Sequence, residues 1–141
     1  MAYELRPYQK ECKDILDKTP TGNHLVVMAT GLGKTVVMTH LKRNGRVLLL
    51  SHRDELVRQP EKYFDCSFGI EKAEEHAGDE EVVSASVQSL SRPGRMKRFA
   101  PDAFDTIIID EAHHSAAKSY RAVLDYFSGA KRRIGFTAAR G

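Results

Sequence analysis

The segment Met28-Ala29-Thr30-Gly31-Leu32-Gly33-Lys34-Thr35 is the part of this chain best suited to hold a charged ligand. It follows the apolar run Leu25–Met28 and precedes Val36-Val37-Met38-Thr39-His40-Leu41, so a strand, a Gly-rich turn and a helix start are expected in succession. Gly31 and Gly33 allow backbone conformations that turn several N–H groups inward. The N–H groups of Thr30 to Gly33, with the positive end of the following helix, then make an anion cradle. Lys34 can reach the β- and γ-phosphates of a nucleotide as a point charge, and the Thr35 hydroxyl can ligate Mg²⁺. The strict form of such a loop, Gly-x4-Gly-Lys-Ser/Thr, would carry glycine at position 28, where this chain has Met28. The plainer alternative is a Gly-rich turn beside an exposed lysine.

A second segment, Thr106-Ile107-Ile108-Ile109-Asp110-Glu111-Ala112-His113, is an apolar strand that ends in two adjacent carboxylates. In α/β sheets, ligands bind beyond the carboxyl ends of the strands. In a parallel sheet both segments therefore open on one edge and can share one nucleotide. Asp110 can then hold Mg²⁺ through water, and Glu111 can take the proton from an attacking water. Taken alone, the same carboxylates would also suit a helix N-terminus. His113 and His114 are adjacent and point apart, and no further ligands stand at a metal-site spacing.

These groups need rigid elements to position them. Val47-Leu48-Leu49-Leu50 and Ile107-Ile108-Ile109 are apolar on successive residues, the pattern of strands covered on both faces. Val82–Val83 with its flanks and Ile134–Phe136 read the same way. Helices are expected over Pro7–Lys18, Lys34–Arg43, Asp54–Phe64 and Lys118–Phe127, with Pro60 kinking or ending the third near Gln59. Alternating β and α elements predict a layered α/β domain with right-handed crossovers. The acidic stretch Glu71–Glu81 reads as a solvated face or loop. The basic stretch Arg92–Arg98 reads as a solvated surface that could touch phosphates.

The composition sets outer limits. The 141 residues suit one domain on the usual ~100–200 residues per domain. Hydrophobic residues make up 41% and charged residues 29%, which excludes collagen-like or wholly disordered chains. No apolar run approaches the ~18–20 residues of a membrane helix, and no signal-peptide pattern opens the chain. A cytoplasmic protein without a membrane partner is the expectation. The net charge of +3 permits a nucleic-acid partner without arguing for one. Cys12 and Cys66 lack zinc or disulfide-framework spacing, so reduced thiols are expected.

Several blocks together resemble one family. Asp110-Glu111-Ala112-His113 resembles the DEAH form of motif II in superfamily 2 helicases and translocases, and Ala29–Thr35 resembles their motif I. Leu5-Arg6-Pro7-Tyr8-Gln9 is similar to the segment that starts many of these motors. Ser51-His52-Arg53-Asp54-Glu55-Leu56 with Gln59 resembles motif Ia. Val87-Gln88-Ser89-Leu90 resembles a segment between motifs Ia and II, and Gly135-Phe136-Thr137-Ala138 the start of motif III. The blocks span nearly the whole chain in the family's order, and they are most similar to the type III restriction subunit group.

The resemblance implies a three-layer αβα RecA-like domain of the P-loop NTPase kind over residues 1–141, with a mainly parallel sheet, binding ATP and Mg²⁺. It implies that Gln9, with Arg6 nearby, reads the adenine edge. It implies that Arg53 contacts a nucleic-acid backbone. Ser89 would offer its hydroxyl to a phosphate or stabilise a turn. His113 and Thr137 would couple the nucleotide site to the strand-binding surface. The implied partner is DNA, with RNA not excluded. Family motors place ATP between two RecA-like domains, so a second such domain, in cis or in trans, is expected to complete the site. Motif III usually reads Ser/Thr-Ala-Thr; here it reads Thr137-Ala138-Ala139, one hydroxyl short. The competing expectation is a nucleotide- or nucleic-acid-binding module without turnover.

Overall fold

The structure, a computed structural model, describes residues 4–28, 32–112 and 117–138. Its elements run α1 (Pro7–Asp17), β1 (Gly22–Met28), α2 (Leu32–His40), β2 (Val47–Ser51), β3 (Phe68–Glu71), β4 (Val82–Ser86), α3 (Val87–Leu90), β5 (Thr106–Asp110), α4 (Lys118–Tyr126) and β6 (Arg132–Ala138). The six strands form one sheet in the order β1-β6-β5-β2-β4-β3, and every pairing is parallel. All strands therefore end on the same edge.

The consecutive apolar runs become two-faced strands. Leu48, Leu50, Ile107 and Ile109 pack on one face with Tyr120, Val123 and Phe127 from α4 and its C-terminal end. Val47, Leu49, Ile108, Ile134 and Phe136 pack on the other with Leu16 of α1 and Val37 and Met38 of α2. Successive side chains of one strand thus enter two different cores, which explains why these strands show no polar alternation. Among the described residues, no helix is long and apolar enough to cross a membrane. Cys12 and Cys66 are half-buried and free, and burial pushes both thiols up from their ordinary value.

Three sequence expectations change here. The helix expected over Asp54–Phe64 is two short 3-10 turns, Asp54–Leu56 and Gln59–Tyr63. Pro60 has no N–H for the Leu56 carbonyl, and its ring clashes with that carbonyl in an α-helix, so the chain breaks and restarts with proline in a first turn. The acidic stretch is not uniformly solvated: Glu71 ends β3 with no exposed surface. Its Oε1 accepts from Arg98 Nη1 at 2.5 Å and from the Ala77 amide at 2.7 Å, and its Oε2 accepts from Arg95 Nε. Arg95, expected on a solvated surface, is correspondingly buried.

A further buried cation lies at the opposite edge. Arg132 of β6 donates to the Leu16 carbonyl at 2.8 Å, to Thr106 Oγ1 at 3.3 Å and to the Lys42 carbonyl at 3.3 Å. It ties the C-terminal end of α1 and the segment after α2 to the sheet. Its burial pushes its pKa down from the ordinary arginine value, against the pull of Asp105 and Asp17.

Candidate nucleotide site at the carboxyl edge

α2 starts four residues after β1 ends, and Lys34 stands on its first turn. Asp110 closes β5, two strands away in the sheet. The parallel topology brings them together. Lys34 Nζ lies 2.8 Å from Glu111 Oε1 and 3.3 Å from Asp110 Oδ1. The Glu111 amide donates to Asp110 Oδ1 at 3.0 Å, which fixes the carboxylates relative to each other. Glu111 has φ +56°, a left-handed backbone uncommon for this residue type. The turn there aims its side chain back at Lys34 rather than along the strand direction.

Gly135 of β6 makes room for this turn. A Cβ at Gly135 would stand 2.7 Å from the Cβ of Ala112, too close for any side chain without displacing the segment after Glu111. The close approach of the β5 turn to β6 therefore requires a residue without a side chain.

The Lys34 side chain is 8% exposed, whereas those of Asp110 and Glu111 are 33% and 29% exposed. Burial alone would lower the Lys34 pKa; the hydrogen bond to Glu111 and the charges of Asp110 and Glu111 outweigh it and hold the ammonium above its ordinary value. All three face a cavity of about 850 Å³, also lined by Thr35, Ser51 and residues of the Gln59–Tyr63 turn. Thr35 and Asp110 present hard oxygen donors to this space, which suit Mg²⁺, with Glu111 beside them. Among the described residues no group of three His, Cys, Asp or Glu could hold a metal by itself. Mg²⁺ is ordinarily held by one or two carboxylates with substrate phosphates and water, so the donors fit such a shared ion.

The other expected site residues fall into three groups. Gln9 is buried against the first turn of α2: its Nε2 lies 3.5 Å from the Gly33 carbonyl, and its Oε1 accepts from the Arg6 amide at 2.8 Å. Gln9 is thus brought to the turn that carries Gly33, while Arg6 is exposed at the start of α1. Arg53 is exposed just past β2, with a loose ion pair to Glu55 at 3.8 Å, and Thr137 is half-buried near the end of β6. Ser89 is fully buried, its Oγ donating to Asp54 Oδ1 at 2.9 Å and accepting from the Ala73 amide at 2.8 Å. Of the two roles open to Ser89, the stabilising one fits; a phosphate contact does not, because the hydroxyl is turned inward and already used. Thr30, Gly31 and His113 lie outside the described residues, and Leu32 is described only as the start of α2. Sequence reasoning names Asp54 and Gly135 only as members of motif-like blocks and gives neither a role, because what each one does depends on neighbours distant in sequence.

An all-parallel six-stranded sheet, with a buried lysine after its first strand and paired carboxylates at the end of its fifth, is a RecA-like α/β domain. The chain belongs to the type III restriction enzyme res subunit family, whose model matches residues 2–140. IRC3 of Saccharomyces cerevisiae, named as an ATP-dependent helicase, is 36% identical over 161 residues, covering 95% of this chain and 23% of that protein. The type I restriction enzyme EcoAI endonuclease subunit of Escherichia coli is 36% identical over 132 residues, covering 81% of this chain and 16% of that one. The Sulfolobus solfataricus SWI2/SNF2 ATPase core, solved in complex with dsDNA, superposes with a TM-score of 0.74 at 20% identity, over 99% of this chain and 33% of that chain. The chain therefore spans a third or less of each of these proteins.

Proposed function

We propose that this chain is the ATP-binding domain of a DNA-dependent ATPase, a helicase or translocase that hydrolyses ATP by Mg-assisted attack of water. The observation that carries this reading is the placement of Lys34 Nζ between Asp110 and Glu111 over one cavity. A lysine held by two carboxylates on an open edge can exchange them for phosphate oxygens. On this reading Met28–Thr35 is a P-loop, whose backbone from Thr30 to Gly33 cradles the phosphates. Gln9, which already touches the Gly33 turn, meets the adenine, with Arg6 nearby. Thr35 and Asp110 would hold Mg²⁺, which would neutralise phosphate charge when bound. Lys34 steadies the charge that develops on the transferred phosphoryl group. Glu111 accepts the proton of the attacking water, and its fixed turn keeps it beside, rather than on, the ion's donors.

DNA is favoured as partner by the restriction-family membership and by the neighbour solved with dsDNA. Arg53, exposed on the same carboxyl edge, is the candidate backbone contact. A second RecA-like domain, in cis or in trans, supplies the other wall of the site and an arginine; such arginines are worth about 10³–10⁵ in rate. The chain by itself therefore binds Mg-ATP weakly and turns it over slowly.

Nucleotide binding and ATP hydrolysis, each with and without single-stranded and duplex DNA, test the reading. Lys34→Ala should weaken ATP binding by at least about tenfold. Glu111→Gln should keep ATP binding and cut turnover by roughly 10²–10⁴. Unchanged ATP affinity in Lys34→Ala overturns the assignment.

A further inference from the structure

Asp54 stands where three loops of the carboxyl edge meet. It follows Arg53 directly, at the start of the first 3-10 turn after β2. Its Oδ1 accepts from the hydroxyls of Ser86 and Ser89, the second at 2.9 Å. Ser86 ends β4 and caps α3, its Oγ accepting from the Ser89 amide at 3.0 Å. The Ser89 hydroxyl also accepts from the Ala73 amide at 2.8 Å, in the segment after β3. Gln88 Oε1 in turn accepts from the Asp54 amide at 3.1 Å. One carboxylate thus joins the segments that follow β2, β3 and β4.

Ser86 and Ser89 are fully buried, while Arg53, Gln88 and Arg92 are exposed outside them. Burial would raise the Asp54 pKa, but the two serine hydroxyls and the charges of Arg92 and Lys72 hold it below its ordinary value, so the carboxylate stays an ionised acceptor. The arrangement is a fixed inner knot beneath a polar rim with several cations.

We infer that Asp54 is a positioning residue for nucleic-acid binding: it touches no phosphate itself, but locks the Arg53 loop onto α3 so that Arg53 and Arg92 present together to a backbone. This rests on the nucleic-acid reading above. Simple electrostatics gives the opposite expectation. A carboxylate beside phosphate-binding cations repels phosphate, so deleting its charge should tighten binding. The sign of the effect therefore separates positioning from charge.

The test is binding of a fluorescently labelled single-stranded oligonucleotide to this chain, read by anisotropy across a salt series. Asp54→Ala should weaken binding by ~10-fold and flatten the log–log salt slope by about one phosphate contact. Asp54→Asn loses the charge but keeps the Oδ1 acceptor, and should bind within about twofold of the unaltered chain or more tightly. Arg53→Ala combined with Asp54→Ala should be no weaker than Asp54→Ala alone, because the two act through one contact. Affinity for an ATP analogue should not move in any of these variants. Binding by Asp54→Ala equal to or tighter than that of the unaltered chain overturns the inference, and so do additive losses in the double variant. Loss of ATP-analogue binding alongside overturns it too, by marking general unfolding. If the unaltered chain binds no oligonucleotide, it is the nucleic-acid reading that has failed.

Discussion

Two clusters of opposite charge stand on the same carboxyl edge, and they are satisfied in different ways. At the β3 end, Glu71 has no exposed surface, and both carboxylate oxygens are taken by donors of the protein: Arg95, Arg98 and the Ala77 amide. In the middle of the sheet, Lys34 is almost as buried, but its partners Asp110 and Glu111 keep about a third of their side chains exposed to a cavity. The first cluster is closed around Glu71 and Arg95, and Arg98 reaches out of it to solvent. The second is closed from below and open above. Closure makes an ion pair structural, because nothing else can compensate its charges. Openness leaves it exchangeable, because water or a ligand can take over either partner.

The largest effect should come from breaking the closed cluster. Glu71→Ala leaves the buried Arg95 without its counter-ion, at a cost of about 3–5 kcal/mol. That is a large share of the ~5–15 kcal/mol that holds an ordinary domain together. Lys34→Ala also removes a buried cation's ion pair, yet Asp110 and Glu111 can rehydrate, so the expected cost is under about 1 kcal/mol. Urea unfolding followed by circular dichroism measures both. Equal losses would erase the distinction between closed and open.

The contrast also predicts two separate pH limbs. Burial would raise the Glu71 pKa, but the hydrogen bonds from Arg98, Arg95 and the Ala77 amide outweigh it and hold it below its ordinary 4.5. A carboxyl depressed by folding contributes stability that is present above its unfolded value and is lost as pH falls through the lower folded value. The loss therefore falls below pH 4.5, and Glu71→Gln should flatten that acid limb. Lys34 is shifted upward from 10.5, so its contribution is present below that value and is lost only as pH rises above it. Lys34→Met should flatten the alkaline limb and leave the acid one intact. Unfolding midpoints measured across pH check both, and an acid limb that survives Glu71→Gln would place its origin elsewhere.

The open cluster was legible in sequence and the closed one was not, for a physical reason. Lys34, Asp110 and Glu111 each end or follow an apolar run, and parallel strands must deliver such positions to one edge, so local pattern and topology suffice. Glu71 sits in a stretch of acidic residues, and its partners Arg95 and Arg98 lie 24 and 27 residues further on. Local charge pattern carries no information about a pairing at that distance. β3 escaped notice similarly: Phe68-Gly69-Ile70-Glu71 is short and holds a glycine, a weak strand signal. Yet Gly69 is needed, since a Cβ there would meet Glu80 at 2.4 Å and Ala77 at 2.9 Å. The segment after β2 was half legible. Pro60 marks the break, but the break leaves two 3-10 turns rather than a kinked helix, and the meeting of Asp54 with Ser86 and Ser89, 32 and 35 residues on, leaves no local trace.

The smallest effect lies beneath the open cluster. Tyr120 of α4 is 2% exposed and shares a core with Ala112, yet its hydroxyl has no hydrogen-bond partner among the described residues. Burial, then the charges of Asp110 and Glu111, push its pKa well above the ordinary 10, so the phenol stays protonated. An unpaired buried hydroxyl is a standing cost, in contrast to the fully paired Glu71. Tyr120→Phe removes that group with almost no change in shape, and stability should stay level or rise by up to about 1 kcal/mol. Thermal unfolding of the two proteins decides it. A loss in Tyr120→Phe would mean that the hydroxyl is bonded, and that the floor of the open cluster is as well satisfied as the closed one.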